Sequence, residues 1–289
     1  MNACLKFTKG LSTANRPLLI QSPNISRCNS SSWSSGDVDQ SSSLSSVPFY
    51  GTPRRAASSE RTLQDRVAIA LHHATTAFAD PTRADAVAAL GEITGPATLQ
   101  RIHDKMMEDP TGRLILKERP IVSKSTIPYE RLIAQAPDVV DDADSTITFG
   151  QAYGSFLKSH GFDPDERDEV KFVEDDTLAY IMLRYRQCHD FWHALTGLPP
   201  TVLGELGIKW LELFQTGMPV AALSCTVGSL RLDSREREIL LGSYLSWAIR
   251  ASQDSRCFLM NMYYEKEFDT PLDELRRRLN LEPAPAMKP

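Results

Sequence analysis

Tyr185-Arg186-Gln187-Cys188-His189-Asp190-Phe191-Trp192-His193-Ala194-Leu195-Thr196-Gly197, followed by Leu198-Pro199-Pro200-Thr201 and Val202-Leu203-Gly204-Glu205, decides how this chain is read. Upstream, Leu178, Ile181, Met182 and Tyr185 recur at helical spacing, and His189, Trp192 and His193 continue the same apolar stripe. The spacing predicts one helix from Asp176 to about Thr196, with both histidines on its buried face. Being four residues apart, they stand one above the other, and Asp190, three before His193, can join them. Pro199 and Pro200 lack the N–H groups that a continuing helix needs. Thr201 suits the N-cap of a second helix from Val202 to about Gln215. A connection this short predicts two antiparallel neighbours. His193 and Glu205 each lie four residues from the bend, at matching depth.

Two readings fit this cluster. One is a pair of core histidines with hydrogen-bonded carboxylates. The other is a metal site formed by His189, Asp190, His193 and Glu205. Burying unpaired charges costs several kcal/mol each, so such groups need partners, and one divalent cation satisfies all of them together. The metal reading is the sharper.

The 289-residue chain is 42% hydrophobic with a formal net charge of −5, enough for one sizeable domain or two small ones. Its first 36 residues hold Lys6, Lys9, Arg16 and Arg27 and many serines but no acidic residue; the first is Asp37. That is the composition of a mitochondrial presequence, expected at 1–36, with a flexible linker at 37–58 and a helical domain at 59–289. Losing the basic leader would leave a more acidic protein, which argues against nucleic-acid binding. The five cysteines form no CxxC pair, so a disulfide scaffold or cysteine zinc site is not expected. The longest uncharged run, Leu213 to Leu230, is broken by Gly217, Pro219 and Gly228 and does not read as a membrane span.

Helical patterns dominate from residue 62 onward. They run through 62–79 (Leu63, Val67, Leu71, Ala74, Phe78) and 82–90, and Leu99, Ile102 and Met106 mark a helix ending near Pro110. A short piece follows at Ile115–Lys117. Further helices are expected from Pro128 to about Gln135, around Ala152–Leu157, and over 220–230, 236–252 and 271–279. Strand-like alternation is scarce, and Leu90-Gly91-Glu92-Ile93-Thr94-Gly95 reads as a helix end. The fold class is all-α: a single helical domain with an αα-hairpin carrying the metal site.

These residues also carry a resemblance. Tyr185–Gly197 with Leu203-Gly204-Glu205 and Lys209-Trp210-Leu211-Glu212-Leu213-Phe214-Gln215-Thr216-Gly217 resembles the fourth coenzyme Q biosynthesis protein family of the mitochondrial ubiquinone pathway. The family motif is HDxxH, about eleven residues, then Glu; here 194–204 make that gap. Leu90–Gly95, Asp109–Gly112, Glu118–Pro120 and Leu272–Arg276 add support, and the likeness covers roughly 60–289. It implies an all-helical fold and a zinc site whose motif positions map to His189, Asp190, His193 and Glu205, with Fe2+ or another divalent transition metal as the alternative ion. It implies a peripheral protein on the matrix side of the mitochondrial inner membrane, working with other ubiquinone-biosynthesis proteins in a complex.

The activity implied is C1-decarboxylation of a 4-hydroxy-3-methoxy-5-polyprenylbenzoate. Such a reaction needs the ring carbon bearing the carboxyl to accept a proton. Arg186, three residues before His189, is a candidate to pair with the substrate carboxylate, or forms an ordinary ion pair. Tyr185 is a candidate proton donor, or packs. Asp190 is either a fourth ligand or a group that orients an imidazole. The competing reading is a non-catalytic lipid-binding scaffold that carries prenylated intermediates; four filled protein ligands would favour it, an open coordination position would favour catalysis. A polyprenyl tail requires contact with a membrane surface. The uncharged helices over Pro219–Leu230 and Leu240–Ile249 are the expected face, unless they complete the core or form a homodimer interface.

Overall fold

The computed structural model describes residues 63–79, 84–140, 146–167 and 169–286. The expected presequence and linker lie outside these residues. The regular structure of the described residues is helical, with no strand among them beyond one isolated bridge between Thr148 and Pro271. In order the helices are α1 (Leu63–Ala79), α2 (Ala84–Thr94), α3 (Pro96–Glu108), α4 (Pro110–Glu118), α5 (Tyr129–Ala134) and α6 (Phe149–His160). They continue with α7 (Asp176–Thr196), α8 (Val202–Thr216), α9 (Pro219–Gly228), α10 (Ser234–Ile239), α11 (Leu245–Asp254) and α12 (Leu272–Leu279).

Local chemistry sets the ends of the two central helices. Asp175 caps α7 by accepting from the N–H groups of Thr177 and Leu178, both at 2.9 Å. Gly197 ends it in the left-handed region (φ 76°), returning its N–H to His193 O at 2.9 Å. Thr201 caps α8, accepting from Gly204 N at 3.2 Å. The bend is tight: a Cβ at Gly204 would lie 2.0 Å from the carbonyl oxygen of Pro199, so only glycine fits there.

α7 is the centre of the domain. It packs against α6 and α3, while α8 packs mainly against α9 and α11. Phe191 and Trp192 are fully buried. Phe191 meets Phe149, Tyr153, Tyr264 and Phe268 with ring centroids 4.7–6.1 Å apart, and the indole N–H of Trp192 donates to Tyr264 Oη at 2.9 Å. The buried Arg184 forks onto Glu265 and donates to Met262 O at 3.0 Å, so its charge is paired where isolated burial would cost several kcal/mol.

Three expectations change. Helix α2 runs past Gly91 to Thr94, because the buried Glu92 accepts the N–H groups of Lys171 and Phe172 at 2.6 Å each and fixes that turn in the core. Pro110–Glu118 forms a full helix where only a short piece is expected; Asp109 caps it by accepting from Thr111 N and Gly112 N at 2.7 and 3.0 Å. The helix expected over 236–252 contains a π turn at Leu240–Tyr244 that joins α10 to α11. In the two uncharged segments, Val220, Ala221, Cys225, Leu240, Tyr244, Trp247 and Ala248 complete the core, and Leu223, Leu230 and Leu241 face outward.

Candidate metal centre

His189, His193 and Glu205 converge where α7 meets the first turn of α8. The two imidazole Nε2 atoms are 3.2 Å apart. Glu205 lies 3.2 Å from each, through Oε2 to His189 and Oε1 to His193. One ligand atom from each of the three residues lies within 4.8 Å of the other two, close enough for all three to reach a single ion.

The remaining ring nitrogens fix which atoms face inward. His193 Nδ1 is 2.7 Å from the carbonyl oxygen of Leu198, which only accepts, so that nitrogen carries the proton. His189 Nδ1 donates to Glu212 Oε1 at 2.5 Å. Both Nε2 lone pairs therefore point at each other and at a carboxylate. Neutral imidazoles in this arrangement repel, and a cation between them removes the conflict. The site's donor set thus fits a divalent ion of the zinc type.

Without an ion, a proton takes that role. Burial and the Lys209 ammonium oppose a charged His189, but Glu205 and Glu212 outweigh them and push it up to about 9. Burial disfavours an ionised Glu205 too, yet the paired histidines hold its carboxyl well below the usual carboxylate range. Glu212, completely buried, is held at about 2: burial opposes its charge, and Lys209 and His189 overcome it. Lys209 reaches both Glu212 oxygens, at 3.1 and 2.8 Å.

The sequence-predicted residues divide. His189, His193 and Glu205 meet. Asp190 does not join them; its carboxylate is taken by Arg167, from the segment between α6 and α7. The reason is helical direction: Asp190 projects about 100° round α7 from His189, toward α6 and not α8. Arg186 forms an ion pair with the buried Glu92 instead of pointing at the cluster. Tyr185 is on the expected face, but its hydroxyl donates to Glu212, and burial followed by that carboxylate holds its pKa well above 10. Glu212 and Lys209 have roles that sequence reasoning missed. Their signal was the i, i+4, i+7 spacing of Glu205, Lys209 and Glu212 along one face of α8. A cavity of about 200 Å³ lies elsewhere, between α1, α2 and the start of α7, lined by residues including Ile69, Ile93, Phe172 and Leu178.

The sequence profile of the family described as Coenzyme Q (ubiquinone) biosynthesis protein Coq4 matches residues 57–285. The chain belongs to the Coq4 family. A protein of Aspergillus terreus named ubiquinone biosynthesis protein coq4, mitochondrial, is 41% identical over 225 residues, covering 78% of this chain and 75% of that one. The Coq4 homologue of Danio rerio, also named mitochondrial, is 42% identical over 217 residues, 75% of this chain and 76% of its own. The fold is also seen in a crystal structure of a candidate ubiquinone biosynthesis protein from Nostoc punctiforme PCC 73102, with a TM-score of 0.57 at 19% identity, covering 75% of this chain and 96% of that one. Among the described residues of this Coq4-family chain, no helix is long and apolar enough to cross a membrane.

Proposed function

We propose that this Coq4-family protein is a metal-dependent lyase that removes the C1 carboxyl of a 4-hydroxy-3-methoxy-5-polyprenylbenzoate during ubiquinone biosynthesis. One observation carries the reading. Two Nε2 lone pairs and one carboxylate converge within reach of one ion, and the Glu205 side of the cluster is the accessible one, its side chain 38% exposed against 14% for His189 and 0% for His193. Three protein donors with an accessible side suit a site that takes a substrate oxygen; a structural site would be closed by a fourth.

A divalent ion there supplies Lewis acidity toward a phenolate or carboxylate oxygen, and iron in place of zinc would add redox capacity. The chain's own residues do the rest. Glu212 and Leu198 O hold both imidazoles in the tautomer with Nε2 free. Lys209 neutralises Glu212, so a buried carboxylate is kept ionised beneath His189. In the reaction the ring–carboxyl bond breaks, its electron pair stays on the ring carbon, carbon dioxide leaves and a proton takes its place. Tyr185 is committed to Glu212, so that proton is expected from the solvent side beside Glu205.

In this reading the protein acts at the matrix face of the mitochondrial inner membrane, beside other ubiquinone-biosynthesis proteins. Leu223, Leu230 and Leu241, outward-facing on the segments after α8, support contact with a lipid surface. The test is to give metal-quantified protein a prenylated 4-hydroxy-3-methoxybenzoate and identify the product by mass. Loss of carbon dioxide alone indicates simple decarboxylation, and loss with gain of oxygen the oxidative version. Unchanged substrate with metal-replete protein would favour the lipid-carrying scaffold.

A further inference from the structure

The cations near the metal centre are not equivalent. Lys209 is bound to both oxygens of Glu212. Arg186 is buried against Glu92. Arg167 differs from both. Its bond to Asp190 runs from one terminal amino nitrogen to one carboxylate oxygen, and its side chain is 32% exposed against 11% for Asp190. A guanidinium offers five N–H donors in a planar fork, so this pair leaves a second edge of the fork to accept another anion.

The segment that carries Arg167 is fixed in place. It follows the single turn Pro164–Glu166, which Asp163 caps by accepting from Asp165 N at 2.9 Å. Lys124 clamps that turn twice, through Nζ to Asp163 at 2.5 Å and through its backbone N–H to Asp165 at 3.0 Å. The same segment brings Phe162 against Phe156 at 5.4 Å between ring centres, and Phe156 stacks on His193 at 5.1 Å. Phe162 is itself 41% exposed. Asp190, which holds Arg167, lies three residues before His193 on α7, so the guanidinium sits within one turn of the cluster. A half-exposed guanidinium held by Asp190 and the Phe162–Phe156 pair against His193 therefore lie on neighbouring turns of α7.

We propose that Arg167 receives the carboxylate of the aromatic acid substrate, with Phe156 and Phe162 as the apolar wall for its ring. This rests on the aryl-carboxylate reading above and adds the specificity-determining residue, in place of the Arg186 expected from sequence. A planar fork pairs with a carboxylate through two parallel N–H bonds, which orients the carboxylate as well as attracting it. Asp190 then serves as the positioning residue that holds Arg167 beside the cluster.

The experiment compares binding of two probes by calorimetry. One is 4-hydroxy-3-methoxybenzoate carrying a short prenyl group; the other is the same phenol without the carboxyl. Full-length protein is used, in metal-loaded and metal-free forms. The parent is expected to prefer the carboxylate. Arg167→Met should weaken the acid by about 10- to 100-fold and leave the neutral phenol within about twofold. Arg167→Lys keeps the charge and a partner for Asp190 but loses the fork; it should fall between the two and guards against misfolding of the first variant. Metal content should match the parent in both. If the parent prefers the carboxylate and both variants prefer it equally, the assignment of Arg167 is overturned and the aryl-carboxylate reading stands. If the parent does not distinguish the two probes, both fall together.

Discussion

His189 and Glu212 are joined by a 2.5 Å contact between Nδ1 and Oε1, from the middle of α7 to the second half of α8. Glu212 makes His189 present Nε2 to the cluster, and it does so as a fully buried carboxylate stabilised by Lys209 and the Tyr185 hydroxyl. Replacing Glu212 with Gln keeps the shape and removes the charge. Metal affinity, measured by competition with a chelator, is expected to fall about 10- to 100-fold. Circular dichroism should stay helical. An unchanged affinity would remove Glu212 from the site.

His193→Ala removes one of the three converging donors and opens a gap beside Phe156. Stoichiometric metal binding should be lost, as measured by elemental analysis of dialysed protein. Metal content equal to the parent would place the site elsewhere. Asp190→Asn is the informative contrast: with the aspartate on Arg167 and not in the cluster, this variant should keep most of its metal.

Metal binding should depend on pH in a definite direction. In the metal-free protein His189 is raised from 6.5 to about 9, so its protonated form stabilises the fold fully below pH 6.5, and that contribution is lost as pH rises through about 9. An incoming ion must displace the proton. Affinity should therefore climb between pH 7 and 9 and level off above. Calorimetry in buffers of different ionisation enthalpy should detect close to one proton released per ion at pH 7.5. No proton release would mean that His189 is not a ligand.

Gly204→Ala tests the bend. The added methyl would sit 2.0 Å from Pro199 O, so the backbone must move where Glu205 enters the site. A loss of about 1–3 kcal/mol in unfolding free energy is expected, together with weaker metal binding. Full stability with full metal content would show that the bend does not set the separation of His193 and Glu205.

The membrane face can be tested at Leu230, which is 70% exposed. Leu230→Asp should reduce flotation with liposomes while leaving metal content and helicity intact. If Leu223→Asp and Leu241→Asp also leave flotation unchanged, these segments do not contact lipid.

The α7–α8 pair and the positions of His189, His193 and Glu205 on it were legible in the sequence alone. The 3.6-residue periodicity of Leu178 to His193 places both histidines on one face, Gly197, Pro199 and Pro200 force a bend, and Thr201 starts the next helix within four residues of Glu205. These are local effects, set by backbone geometry and by neighbours within one or two turns, so they survive in a one-dimensional reading. Where the remaining charges go depends on long-range packing. Asp190, Arg186 and Tyr185 lie within four residues of His189, but their partners are Arg167, Glu92 and Glu212, at 23, 94 and 27 residues' separation. A buried charge must find its counter-charge wherever packing brings one near, and that choice depends on how α2, α6 and α8 settle against α7. Helical direction narrowed the options; the docking of distant elements made the selection.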